Sequence, residues 1–258
     1  MSLYLKFFSL NLKSQMQYKT SFFFTMLGQL LVPFTGFLGI YFMFLRFNEV
    51  EGFTYEQILL CFAVMLMAFT LAESFGRGFD VFPRIIGNGV FDRILVRPRG
   101  IIFQVLASTI DLSRLGRGVY AVILFCYAIP NSGVIWTWDK ILTLVLMVIC
   151  GTIVFFCLFI LYAAFTFFTI EGLEFMNIFT HGGQDFGRYP FSIYGENIKR
   201  FLTYVIPLAL VQYYPLLYIL DLEQDLFYMF VPLLSLLFIF PCYGFFRFGL
   251  HNYKSTGS

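Results

Sequence analysis

Charge is scarce in this chain. Of its 258 residues, 12% are Asp, Glu, Lys or Arg, about half the ~25% typical of a soluble domain. That shortage excludes an ordinary water-facing globule. The net charge of +2 is too small to point to nucleic acid. Histidine is reduced to His181 and His251, too few and too scattered for a metal centre. The five cysteines (Cys61, Cys126, Cys150, Cys157 and Cys242) lie in apolar segments without a metal-ligand pattern. They read as buried spectator thiols. No G-x-x-x-x-G-K-[ST] phosphate loop occurs, and the pairs Gly87/Gly89 and Gly116/Gly118 lack a strand-turn-helix setting. No Ser-His-Asp or Cys-His constellation is readable. Energy for any uphill task must therefore come from another chain or from an ion gradient. A cleavable signal peptide is not expected either, because the first apolar segment is too long for an h-region.

What the chain has is long apolar runs, with 59% hydrophobic residues, 37 Phe and 16 Tyr. Uncharged stretches mark six spans: Thr20–Leu45, Gln57–Ala72, Gly118–Trp138 (begun near Ile101), Ile141–Ile170, Phe201–Leu220 and Leu226–Phe246. A transmembrane helix needs ~20 residues, and the 30-residue Ile141–Ile170 run is long enough to cross with tilt or to protrude. Continuous rather than alternating apolarity predicts helices, not barrel strands. The expected fold is an all-α membrane protein with six transmembrane helices in one domain over residues 1–258.

Lys and Arg set the expected orientation. Six spans with both termini cytoplasmic place 15 of the 17 basic residues inside, against Arg46 and Lys140 outside. The first 19 residues, with Leu3, Phe7 and Leu10 at helical spacing and Lys6 and Lys13 off that stripe, suit a short helix in the cytoplasmic interface. Residues 171–220 admit two courses. A cytoplasmic loop over 171–200 precedes a plain span, or a kinked helix around 170–187 crosses and 188–220 is broken and re-entrant. Pro207 and Pro215 favour breakage, since each removes a backbone donor and clashes with the preceding turn. Glu171, Glu174 and Asp185 argue against a lipid-facing span there, though not against one lining a polar cavity.

One stretch is both charged and structured: Arg84-Ile-Ile-Gly-Asn-Gly-Val-Phe-Asp-Arg-Ile-Leu-Val-Arg-Pro-Arg-Gly100. Pro83 opens a short helix, and Gly87 and Gly89 allow a sharp bend. Val90, Phe91, Ile94 and Leu95 form an apolar stripe beside Asp92, Arg93, Arg97 and Arg99, and Pro98 ends the element. An amphipathic cytoplasmic helix between spans two and three, within a loop over 78–100, is a docking surface for a soluble motor. The plainer reading is a basic loop held to anionic headgroups. Of the other charges, Glu73, Asp111, Arg114, Glu171 and Glu174 are candidates for a substrate pathway or for ion pairing at the bilayer edge. Asp111 and Arg114, three apart, share a helix face. The aromatic load suits cation–π contact with a substrate or, more simply, packing against lipid.

The pattern G-x-G-x-F-D-R-x-L-x-R-P, here Gly87 to Pro98, resembles the first cytoplasmic loop of ABC-2-type exporter permeases. Phe168-Thr-Ile-Glu-Gly-Leu-Glu174, Arg188-Tyr-Pro-Phe-Ser-Ile-Tyr194 and Val205-Ile-Pro-Leu-Ala-Leu look like the viologen-exporter-like subgroup, over nearly the whole chain. The resemblance implies a non-catalytic half-transporter in a bacterial cell membrane. The segment from Arg84 to Pro98, with Gly87, Gly89, Phe91, Asp92, Arg93, Leu95 and Arg97, would be the coupling helix. Two ATP-binding subunits would attach to it, carrying the ATP and Mg; no cofactor is expected in this chain. A second permease, identical or a sister chain, would complete the path. The implied cargo is hydrophobic, cationic or amphipathic, moved outward. An ion-coupled secondary transporter using Glu73, Asp111 and Glu171 is the alternative; it predicts an internal repeat, and none relates residues 1–130 to 131–258. A lipid-modifying membrane enzyme is disfavoured by the scarcity of His.

Overall fold

The computed structural model describes residues 3–169 and 174–254. Its helices are α1 (Leu3–Gln15), α2 (Lys19–Phe44), α3 (Tyr55–Asp80), α4 (Phe82–Gly87), α5 (Val90–Leu95), α6 (Ile101–Ser108) and α7 (Leu115–Asn131). They continue with α8 (Trp138–Thr169), α9 (His181–Phe186), α10 (Glu196–Tyr204), α11 (Leu208–Val211), α12 (Tyr213–Ile219), α13 (Leu226–Leu234) and α14 (Ile239–Asn252). Short 3₁₀ turns join several of them, and the described residues contain no strand beyond an isolated Val50–Phe53 bridge. This is an all-α membrane protein. Five helical stretches are long and apolar enough to cross a bilayer: Tyr4–Phe44, Tyr55–Gly87, Leu112–Asn131, Trp138–Thr169 and Leu226–Asn252. A sixth crossing is supplied if the pair Glu196–Tyr204 and Leu208–Ile219, bent by 85°, counts as one.

Helix α3 is the hub. It starts at a capping box, in which Thr54 and Gln57 satisfy each other's free backbone N–H groups. It is then buried on nearly every side from Ile58 to Ala72. A helix apolar all round has to be enclosed by others, and α2, α7, α8 and the 181–219 segment do so. Around it lie two continuous cores. One joins α3, α7 and the Ile40 and Phe53 side chains; the other joins α3, α4, α5, α8, α11 and α14. At the end away from α4, Lys140 of α8 donates to Asp221 at 2.7 Å, and Tyr218 donates to Asp139 at 2.8 Å. These contacts tie the start of α8 to the acidic turn after α12.

Several sequence expectations are corrected. The third span is Leu112–Asn131 rather than Gly118–Trp138. Ile101–Ser108 is a separate helix, because Thr109 is extended (φ −141°, ψ 116°) and breaks the path. The plain fifth span is absent: Pro207 sits at the start of a four-residue helix, where its missing donor is harmless, and the chain turns sharply there. Of the kinked helix expected around 170–187, the described residues hold only the six residues of α9 and a 3₁₀ turn over Glu174–Ile178. As a result Arg188, Lys199 and Arg200 sit on this broken segment. Twelve basic residues remain at the α4 end and two at the other, so the charge asymmetry persists. At the N-terminus, α1 runs through a 3₁₀ turn into α2 as one 41-residue helical stretch. That is ~60 Å, about twice the hydrocarbon thickness, so α1 lies beyond the core of the bilayer. Its contacts to α6 come from Tyr4, against Phe103, and Asn11, which donates to the Ala107 carbonyl. Leu10, expected on the apolar stripe, is 62% exposed.

Candidate functional site: an arginine-bearing elbow and the charge network behind it

The elbow between α3 and α6 is built on two phenylalanines. Pro83, in the first turn of α4, fixes the backbone where no helical donor is lost. Asn88 and Gly89 reverse the chain, and Gly89 has φ +66°, a conformation that costs other L-residues energy. Helix α5 therefore folds back beside α4. Phe82 and Phe91 both point inward and are fully buried. Their rings meet edge to face at 5.2 Å, and Phe82 also meets Phe167 at 5.3 Å and Phe246 at 6.1 Å. Phe91 contacts Phe167 at 5.4 Å and Tyr253 at 5.0 Å. The elbow is thus clamped to the ends of α8 and α14. Aromatic pairs of this geometry contribute ~0.5–1.5 kcal/mol each beyond area burial.

The other face of the elbow is polar and open. Arg84, Arg93, Leu95, Arg97 and Pro98 are exposed, as is Gly87. Asp92 is half-buried and accepts a 3.1 Å hydrogen bond from the Tyr253 hydroxyl. Gln104 of α6 donates to the carbonyls of Ile94, at 3.1 Å, and Arg99, at 2.9 Å, fixing the exit from α5. Between α1, α5 and α6 runs a groove of about 470 Å³ lined by Phe7, Val90, Arg93, Arg97, Pro98 and Phe103. Phe91 stood among the residues expected to contact a partner. It is fully buried among Phe82, Phe167 and Tyr253 and anchors the elbow.

Behind the elbow lies a buried ionic network. Glu73 on α3 has a side chain 1% exposed and accepts from three arginines: Arg117 at 2.9 Å, Arg114 at 3.1 Å and Arg77 at 3.4 Å. Arg77 also pairs with Asp80, and Arg114 with Asp111 at 3.1 Å. Gln29 of α2 accepts from Arg117 at 2.6 Å. Gln15 at the end of α1 donates to the Ile110 carbonyl and accepts from the Leu112 N–H. Three carboxylates thus face three guanidiniums, and α1, α2, α3 and α7 meet in one neutral cluster. Burial works to raise the Asp111 carboxyl. Hydrogen bonds from Ser113 and Arg114, with the charges of Arg114 and Arg77, outweigh it and hold this group below the usual carboxylate range.

Of the candidate pathway charges, Glu73, Asp111 and Arg114 are therefore brought together in one network. Glu171 lies outside the described residues, and of Glu174 only the backbone, at the start of a 3₁₀ turn, is described. Sequence reasoning placed Arg117 beside Asp111 and Arg114 at the start of the third span but missed Arg77, Gln29 and Gln15. The spacing of Glu73 and Arg77, four apart, was the one local signal; the others come from helices far apart in the chain.

Compared with known proteins, residues 30–257 match the family model described as ABC-2 family transporter protein. No curated protein and no solved structure matches the chain. A match over most of the length, with the long apolar helices, makes this a multi-pass permease subunit of an ABC transporter, a class that works with an ABC ATPase.

Proposed function

We propose that this chain, which belongs to the ABC-2 transporter family, is the permease half of an ATP-driven exporter and couples to its ATPase through the arginine-bearing elbow. Both termini and the elbow face the cytoplasm. Two permease chains, alike or sisters, stand around a path, with two ATP-binding subunits beneath them, and the cargo is hydrophobic, cationic or amphipathic. Differential affinity of the two conformations for cargo then sets direction.

The observation that carries this reading is the two-sidedness of the elbow. One side presents Arg84, Arg93 and Arg97 to water. The other drives Phe82 and Phe91 into the ends of α8 and α14. A force applied to the arginine side reaches two spans through packed rings, because close-packed interiors transmit displacement. The ion-coupled alternative fares worse. Glu73 and Asp111, its candidate carriers, are both already engaged in ion pairs with arginines, which leaves neither free to take up and release an ion.

The test is co-purification with an ABC ATPase from detergent-solubilised membranes. Arg93→Glu with Arg97→Glu is expected to abolish stimulation of that ATPase while membrane insertion is kept. Unchanged assembly and transport in the doubly reversed chain would refute the docking role. Thiol labelling at Val50→Cys from outside and Val90→Cys from inside checks the topology; swapped accessibility would overturn it.

A further inference from the structure

The segment from His181 to Tyr194 lies at a depth where charge and irregular backbone do not tolerate lipid. Along α3, Thr54 caps one end and Glu73 joins the ionic network at the other; the rise between them is ~28 Å, close to the hydrocarbon thickness. The His181 ring packs on Phe69 at 5.1 Å, Gly187 abuts Met65, and the Arg188 guanidinium lies 5.6 Å over the Phe62 ring. Those three α3 residues stand ~12–22 Å from the Thr54 end, so the segment occupies the middle of the bilayer.

Arg188 is held there by shape. Gly36 of α2 leaves the space it fills, since a Cβ at position 36 would come within 2.9 Å of the guanidinium carbon. Its Nε is buried with no hydrogen-bond partner, and its Nη2 donates to Asp185 at 2.5 Å. The Asp185 side chain is nevertheless 57% exposed, against 27% for Arg188, and neighbouring Phe186 is 42% exposed. The pair thus turns its negative end outward. Irregular backbone at this depth persists only where protein covers it or a water-filled cavity faces it, and intramembrane carboxylates follow the same rule.

We propose that the face carrying Asp185, Phe186 and Arg188 lines a water-filled passage through the bilayer, and that the Asp185 carboxylate, positioned by Arg188, receives the positively charged end of an amphiphilic substrate. Phe186 offers the adjoining apolar surface. The inference rests on the permease reading for the existence of a cargo; the wetness and sign of the face are independent of any ATPase.

The experiment uses the full chain in membranes with the exposed Cys126 replaced by Ser. Phe186→Cys is compared with Val122→Cys and Ile149→Cys, exposed apolar positions on α7 and α8. Methanethiosulfonates carrying trimethylammonium or sulfonate are applied to both faces. Phe186→Cys is expected to react on the order of a hundredfold faster than the two controls, because the attacking thiolate forms in water. The cationic reagent is expected to outpace the anionic one by roughly ten- to a hundredfold, because one is attracted and the other repelled, each by the about three- to tenfold Coulomb factor for a unit charge ~6 Å away at a dielectric of ~40–80. Adding Asp185→Asn should erase or reverse that preference. Asp185→Cys is a second reporter of water should Phe186→Cys fail to insert. A Phe186→Cys thiol as inert as the controls would overturn the passage. A fast thiol whose sign preference is absent, or survives Asp185→Asn, would overturn the substrate assignment. Either result would leave ATPase co-purification, and with it the permease reading, untouched.

Discussion

Glu73→Gln is the sharpest perturbation of this structure. The wild-type cluster sets Glu73, Asp80 and Asp111 against Arg77, Arg114 and Arg117. Glutamine preserves shape and one acceptor but leaves a surplus positive charge around a side chain that is 1% exposed. Breaking a buried ion pair from one side costs ~3–5 kcal/mol, far above the ~0–1 kcal/mol of an exposed pair. With a melting shift of ~2–4 °C per kcal/mol for a chain near this size, that becomes roughly 6–20 °C. The assay is thermal unfolding of the detergent-solubilised protein, run as a double-mutant cycle with Arg117→Gln. The doubly neutral variant restores charge balance, so it should recover part of the loss, with a coupling energy above ~1 kcal/mol. A Glu73→Gln chain melting within ~2 °C of wild type, or strictly additive losses in the cycle, would refute the view that this network locks α2, α3 and α7 together.

Three further outcomes are expected. Phe91→Ala should cost ~3–5 kcal/mol through the cavity left among Phe82, Phe167 and Tyr253; it should also uncouple ATPase stimulation although every arginine is retained, whereas Phe91→Leu should keep most of both. Gly89→Val should destabilise the elbow by ~1–2 kcal/mol, because φ +66° is poorly tolerated with a branched Cβ, and limited proteolysis between α4 and α5 should rise accordingly. Asp111, with its carboxyl depressed in the folded state, contributes stability that is present above about pH 4 and lost as pH falls through its folded value; acid titration of the solubilised protein should show that loss, and Asp111→Asn should remove it.

Much of this was legible in the order of residues. The uncharged runs located α2, α3, α8 and the α13–α14 span, since a bilayer selects for continuous apolarity. Pro83, Gly89 and Pro98 marked the elbow, because backbone restriction is local. The broken course of residues 188–220 was foreshadowed by Pro207 and Pro215, and the polar stretch holding Asp185 already argued against a lipid-facing span there. The start of the third span was misplaced because Ile101–Ser108 is as apolar as a span; only its packing against α3 and the extended Thr109 separate it.

Sequence alone therefore determined that the chain lives in a membrane, roughly where it crosses, and which end of the bundle carries the arginines. Composition and period are properties of neighbours along the chain, and the bilayer reads them directly. Tertiary structure decided which side of the elbow is surface and which is anchor: Phe91 and Leu95 lie on the same apolar stripe, yet one is buried among aromatic rings and the other exposed. It also decided that Glu73, an isolated acid in sequence, gathers arginines from 4, 41 and 44 positions away, and that Arg188 fits against Gly36. Such pairings depend on which helices are brought together in space, and a burial cost is set only once the surroundings are in place.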